Sequence, residues 1–248
     1  VSVKEMIQID GCTFINNSEA KTSNNNDDDH KDSEIIKSST IFISTDSSFT
    51  MSNTNFFSNN INDLILNAIL DVSVINCQFI ELENSSSSIL VRGGALIINT
   101  KKKVQLIDCS FGGYSSSFLE IEGKMTVLSP VQIISDDSVQ ITNITVSDVF
   151  GDAFKVTSTA SINVSNCVFD TNSTDLDSSE KSDNNDDSTR DFLMTCCCEK
   201  VISMDSVSIT NYKKAFRFTK AESGDDLPIT RSVKEGEVPS LEGTSLTI

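Results

Sequence analysis

Seven times along the chain the same order of apolar and polar positions recurs: apolar, any, apolar, any, turn residue, small apolar, any, large apolar. The copies are 7–14 (IQIDGCTF), 49–56 (FTMSNTNF), 72–79 (VSVINCQF), 104–111 (VQLIDCSF), 139–146 (VQITNITV), 162–169 (INVSNCVF) and 202–209 (ISMDSVSI). Apolar residues alternating with a period of two predict half-buried strands, because successive side chains of a strand point to opposite faces. The fifth position holds Gly11, Asn53, Asn76, Asp108, Asn143, Asn166 and Ser206, residue types that tolerate a bend or a left-handed backbone. Each copy therefore reads as two short strands joined by a kink.

The large apolar residues that close the copies, Phe14, Phe56, Phe79, Phe111, Val146, Phe169 and Ile209, lie 42, 23, 32, 35, 23 and 40 residues apart. The two spacings of 23 are the bare unit, and the longer ones are the same unit with loops inserted. After the blocks, a second strand is predicted at 64–66, 95–98, 118–121, 153–156 and 215–218, and a third at 41–43, 89–91 and 131–134. Three strands and three turns in one such unit describe a rung of a right-handed parallel β-helix, in which identical columns stack from rung to rung. The expected fold is all-β: a pectate-lyase-like solenoid of about seven rungs over 1–220, on the order of 34 Å long at about 4.8 Å per rung. Residues 221–248 carry Pro228 and Pro239 and read as a polar C-terminal cap or linker.

Charge refines this picture by locating the acidity. The 248 residues carry a net charge of −17 and are 38% hydrophobic. The insertion near 18–34 contains NNNDDDH and the one near 171–191 contains SDNNDD, so most of the negative charge belongs to loops between rungs. Acidity of this size argues against nucleic acid as a partner, and the only compact basic run, Lys101–Lys102–Lys103, reads as an exposed turn. No run of 18 apolar residues and no charged-then-apolar start is present, so neither direct membrane insertion nor a signal peptide is expected within this segment.

Four of the seven cysteines, Cys12, Cys77, Cys109 and Cys167, share one column of the repeat, where other copies place Thr54, Ile144 and Val207. A position that accepts all these types is an inward site of small to medium size, filled by reduced thiols acting as small hydrophobes. Cys196, Cys197 and Cys198 are adjacent, so a strand would alternate their faces, and no CxxC accompanies the single histidine, His30. That argues against zinc. No cofactor or metal is expected: the acidic insertions lack the spaced oxygen ligands of a calcium loop, and no phosphate-binding loop, dinucleotide fingerprint or Ser/His/Asp set is visible.

Two short motifs carry a resemblance. Residues 93–96 are GGAL, with Gly93, Gly94 and Ala95, and FxxN occurs as Phe14 to Asn17, Phe56 to Asn59 and Phe169 to Asn172. GGA followed by Ile, Leu or Val, together with FxxN, resembles the repeats of polymorphic outer-membrane (Pmp) proteins, bacterial autotransporter adhesins with relatives among protist surface proteins. One strict GGA is present and four blocks lack the FxxN asparagine. The resemblance implies an extracellular or cell-surface β-helix that works in adhesion, with a surface protein or glycan as partner. Physically, the motifs serve the scaffold. Paired glycines permit a tight corner, the alanine fits against a neighbouring rung, the phenylalanine fills the core and the asparagine bonds a turn.

The competing class is a carbohydrate-active β-helix enzyme, a polysaccharide hydrolase or lyase. Asp148 and Asp152 are the candidate catalytic pair, with Asp136–Asp137 and Asp225–Asp226 as further carboxylates, since glycoside hydrolysis uses two acids flanking the bond. No histidine lies in the repeat blocks, arginines are scattered, and the net charge would repel acidic polymers. The sequence therefore favours a non-enzymatic interaction module. Of five N-x-S/T sequons, at Asn16, Asn84, Asn143, Asn163 and Asn172, those at Asn84 and Asn172 lie in expected loops and are the candidate glycosylation acceptors.

Overall fold

Alternating side chains become stacked columns only if every copy pairs in the same register, and the computed structural model has this arrangement. It describes residues 6–15, 39–57, 62–81, 94–114, 117–121, 124–147, 153–170, 192–210, 214–220 and 246–247. The strands begin with β1 (Ile7–Asp10), β2 (Thr13–Ile15), β3 (Ser39–Thr45), β4 (Phe49–Ser52), β5 (Asn55–Phe57), β6 (Asn62–Ala68), β7 (Val72–Ile75) and β8 (Gln78–Ile80). They continue with β9 (Leu96–Thr100), β10 (Val104–Ile107), β11 (Ser110–Gly112), β12 (Ser117–Ile121), β13 (Lys124–Leu128), β14 (Val131–Ser135), β15 (Val139–Thr142) and β16 (Thr145–Ser147). The last are β17 (Phe154–Ser158), β18 (Ser161–Asp170), β19 (Phe192–Cys198), β20 (Val201–Thr210), β21 (Lys214–Lys220) and β22 (Leu246–Thr247). Among the described residues there is no helix.

Three parallel ladders organise these strands. The first halves of the blocks pair in the order β1, β4, β7, β10, β15, β18 and β20, and the second halves as β2, β5, β8, β11 and β16, ending on the C-terminal parts of β18 and β20. The third ladder is a seven-stranded sheet in the order β3, β6, β9, β14, β17, β19, β21. Inward columns such as Phe49, Val72, Val104, Val139 and Ile162, or Leu64, Leu96, Val131, Phe154 and Met194, meet in one continuous hydrophobic core. This is an all-β, solenoid-like stack of parallel strands, in which neighbouring copies bury each other's inner faces.

The bend that joins the two halves of each block is the position foreseen from Gly, Asn, Asp and Ser. Gly11, Asn53, Asn76, Asp108, Asn143, Asn166 and Ser206 have φ between 50° and 63°, in the left-handed region. Ser206 is the residue type least suited to that backbone, which costs most L-residues about 1–2 kcal/mol. Ser206→Asn is expected to recover about 0.5–1 kcal/mol of that cost, read as a higher urea midpoint at unchanged m value.

Two strand assignments need correction. The runs at 41–43 and 131–134 do not form a ladder separate from 64–66, 95–98 and 153–156; all five lie in the third ladder, which takes one strand after each block. The run at 118–121 is not in the stack at all. As β12 it pairs antiparallel with β13, two residues further along the chain, so the local partner wins over the ladder. The run at 89–91 and both acidic insertions lie outside the described residues. In the C-terminal segment β22 returns to pair antiparallel with β20, Leu246 opposite Ile209.

Candidate functional site

The aromatic and thiol positions of the repeat fall in the core. Phe14, Phe56, Phe79 and Phe111 stack with successive ring centroids 5.0 Å apart, and Phe154 then meets Phe111 and Phe169 edge-on. Phe14, at the end of the stack, is half-buried while the others are buried. Cys77, Cys109 and Cys167 are buried and Cys12 is half-buried; Cys196 and Cys198 point inward and Cys197 does not. All seven thiols are unpaired. The contact with Cys77 and burial push the Cys109 thiol up, and burial does the same for Cys167 and Cys196. Protonated, enclosed thiols are poor nucleophiles and poor metal ligands.

At the GGA corner, Gly94 offers its carbonyl to the Asp63 N–H at 3.0 Å and Ala95 is fully buried, its carbonyl accepting from Leu64 at 3.2 Å. Gly93, Asn17, Asn59, Asn84 and Asn172 lie outside the described residues, as do Asp148, Asp152, Asp225 and Asp226. The Asp136–Asp137 pair lies in a turn that is held through its main chain: Asp137 N–H donates to Ser135 Oγ at 3.1 Å, and the two main-chain carbonyls accept from Thr159 Oγ1 and Ser158 Oγ. The lysine run is a turn as expected, with Lys102 N–H bonded to Thr100 Oγ1 and Lys103 N–H to Asp71 Oδ1, each at 3.2 Å.

Stacked polar rows occur where the repeat leaves side chains outward. At the bend, Asn76 Nδ2 donates to Asn53 Oδ1 at 2.7 Å, Asn53 Nδ2 to Asp10 Oδ1 at 2.8 Å, and Asn143 Nδ2 to Asp108 Oδ1 at 2.8 Å. Bonds from Ser52 and Asn53 hold the Asp10 carboxyl below the usual range. The Asn143 amide is thus already committed to its neighbour. Among the described residues, side-chain amides bond from copy to copy at the bend. On the first ladder one outward column reads Gln8, Thr50, Ser73, Gln105, Gln140, Asn163 and Ser203, without a charge. Within it Ser73 Oγ donates to Gln105 Oε1 at 3.4 Å and Gln105 Nε2 to Gln140 Oε1 at 3.2 Å.

A column that the sequence reading missed closes the third ladder. Thr45, Thr100, Ser135 and Ser158 each accept the N–H two residues on, at 3.1–3.2 Å, and each lies four residues before the first apolar residue of the next block. That fixed offset was the signal.

The one cluster that the scaffold does not explain joins three corners. Asp63 at the start of β6, Glu81 after β8 and Tyr114 after β11 are 1%, 6% and 2% exposed. Tyr114 donates its hydroxyl to Asp63 Oδ2. Burial first, and then the Asp63 and Glu81 charges, raise the Tyr114 hydroxyl well above its usual value. Glu81 Oε2 is buried without a hydrogen-bond partner, and burial pushes its carboxyl up to about 7. Gly113 (φ 76°) is pressed so close that a Cβ there would stand 1.9 Å from the Glu81 carbonyl oxygen. Among the described residues no three His, Cys, Asp or Glu side chains gather as a metal centre, and no helix is long and apolar enough to cross a membrane.

The class defined by these features is a parallel-stranded, solenoid-like protein with a continuous hydrophobic core and outward polar rows. Comparison with protein-family models, with curated proteins and with solved structures gave no match.

Proposed function

We propose that the chain is a right-handed parallel β-helix of about seven rungs, with acidic loop insertions, that serves as a non-enzymatic interaction or adhesion module at a cell surface or in secretion. The observation that carries this reading is the uncharged outward column from Gln8 to Ser203, in a chain whose net charge is −17. A row of amides and hydroxyls held in register by strand pairing is a preformed surface whose ordering cost is already met by the fold. The resemblance of GGAL and FxxN to Pmp repeats supports the same assignment, with a surface protein or a glycan as the partner.

One observation favours the second reading, a carbohydrate-active enzyme: Glu81 and Asp63 are carboxyls in different environments, the arrangement from which acid and base roles arise. Their exposures of 6% and 1% count against it, because a polymer must reach both groups. The test is a glycan and host-surface binding array run beside a polysaccharide-cleavage screen. Binding that is weakened by Gln105→Lys and Gln140→Lys, with no cleavage, is the expected result. Cleavage of any glycan that is lost in Asp152→Ala or Glu81→Gln would overturn the module reading.

A further inference from the structure

The repeat leaves one face of the stack undecorated. Each third-ladder strand up to β19 passes to the first ladder through a turn of two or three residues, as at 69–71, 101–103 and 159–160, and the first ladder passes to the second through the bend. Between β1 and β21 every longer stretch of chain, the acidic insertions included, instead joins the second ladder to the third. Over that span the first ladder has no insertion at either edge. Its outward side chains form two columns, the one from Gln8 to Ser203 and a second, two residues on, that runs from Asp10 through Ile75 and Ile107 to Asp205. All of them are half-buried or exposed. Asp10 and Asp205 are the charges among them, one at each end, and the copies between contribute none.

The face is internally joined and still has hydrogen bonds to give. Ser73 donates to Gln105, Gln105 to Gln140, and Gln140 Nε2 to Thr142 Oγ1 at 3.4 Å, while Thr142 and Ser165 share a bond at 3.1 Å. An amide has two N–H groups and two lone pairs, so Gln105 uses one of each on its neighbours and has one of each left for a ligand. The two columns hold no lysine or arginine, which an acidic polymer or a nucleic acid would call for. They also hold no aromatic side chain, so the anchors that a protein partner buries are absent from them. Their apolar members, Ile75 and Ile107, lie side by side.

We propose that this face binds a neutral, linear polysaccharide laid along the columns. The proposal rests on the reading of the chain as an interaction module and names the class of its partner. Sugar hydroxyls both donate and accept, as the amides and hydroxyls of the face do, and the apolar C–H side of a sugar ring suits Ile75 and Ile107. A step of about 4.8 Å from copy to copy repeats the contact over roughly 29 Å from Gln8 to Ser203. A surface that presents similar groups at a constant step is matched by a ligand that is itself a repeat. Each contact is weak, and their linkage within one polymer makes the whole tight. Because the inner copies bring no charge to the contact, binding is insensitive to salt.

Calorimetric titration of the full chain tests it, with disaccharides and hexasaccharides of β-1,4-linked glucose, mannose and N-acetylglucosamine at low and high salt, and with polygalacturonate as the acidic control. At least one hexasaccharide is expected to bind about tenfold or more tighter than its disaccharide, with an affinity that salt leaves unchanged. Gln105→Ala combined with Gln140→Ala is expected to lose about tenfold in affinity at an unchanged urea midpoint, since both side chains face outward. Lys155→Ala, exposed on the third ladder, is expected to change nothing. Equal affinity for long and short oligosaccharides, a preference for polygalacturonate, or a loss in Lys155→Ala as large as in the glutamine variant would each overturn the proposal. Failure of all three hexasaccharides to bind overturns the glycan assignment alone and leaves the module reading to the host-surface array. Cleavage of any of them overturns the module reading as well.

Discussion

Phe79→Ala is expected to cost about 4–5 kcal/mol, the sum of a buried phenylalanine's truncation and the loss of its ring contacts. Phe79 is fully buried and stacks on Phe56 and Phe111, both at 5.0 Å with planes 5° apart. Truncation would leave a cavity midway along the stack, between two copies whose own rings cannot close the gap without breaking register. Phe14→Ala provides the comparison. Its ring is half-buried and stacks on Phe56, so its loss is expected to cost about 1–2 kcal/mol. Because neighbour contacts supply the stability of stacked repeats, Phe79→Ala should also broaden the urea transition as the two halves unfold less cooperatively. Equal midpoints for the two variants would refute a continuous column.

Much of this fold is legible because each block carries its own phase marker. In VQLIDCSF the residue at the bend is Asp108, and it takes up the left-handed backbone together with its counterparts in the other six copies. The alternation on either side then fixes which residues face the core, which is why Cys77, Cys109 and Cys167 are found there. The third ladder was harder to read. Runs such as Ile41 to Ile43 and Val131 to Ile134 are apolar and short, and nothing within them says which face of the stack they join. The marker lies outside the run, in the hydroxyl of Thr45, Thr100, Ser135 or Ser158 at its fixed distance before the next block. The run at 118–121 failed for a different reason. A segment two residues beyond it has the same strand character, and a short connection costs far less ordering than a return to the ladder.

The Asp63, Glu81 and Tyr114 corner could not have been read from the sequence, since none of the three occupies a block position and Tyr114 is 51 residues from Asp63. Stacking alone brings them together. A trace does exist in retrospect. The block ending in Phe111 continues with Gly112, Gly113 and Tyr114 where FxxN copies place other residues, and that departure marks the copy whose corner packs differently.

Gly113→Ala is the sharpest test of that packing, with an expected loss of about 4 kcal/mol or more once backbone strain and displaced hydrogen bonds are combined. At φ 76° any L-residue is strained, but the larger penalty is steric: the new Cβ would lie 1.9 Å from the Glu81 carbonyl oxygen and 2.9 Å from its carbon. Both are backbone atoms, so no side chain can turn aside. Either β8 and β11 separate, which strains the 2.8 Å bond from Glu81 N–H to Gly112, or Tyr114 swings away from Asp63. Gly11→Ala isolates the conformational part, because Gly11 has φ 63° with nothing within 4 Å of the added carbon. It should lose only about 1–2 kcal/mol. Gly112→Ala meets the Ser147 hydroxyl at 3.0 Å, a side chain able to rotate, and should lose less than Gly113→Ala. Denaturation midpoints of the three variants then separate backbone strain from collision. If Gly113→Ala proved no worse than Gly11→Ala, the corner would have room to spare and the close approach of Gly113 to the Glu81 backbone would carry no cost.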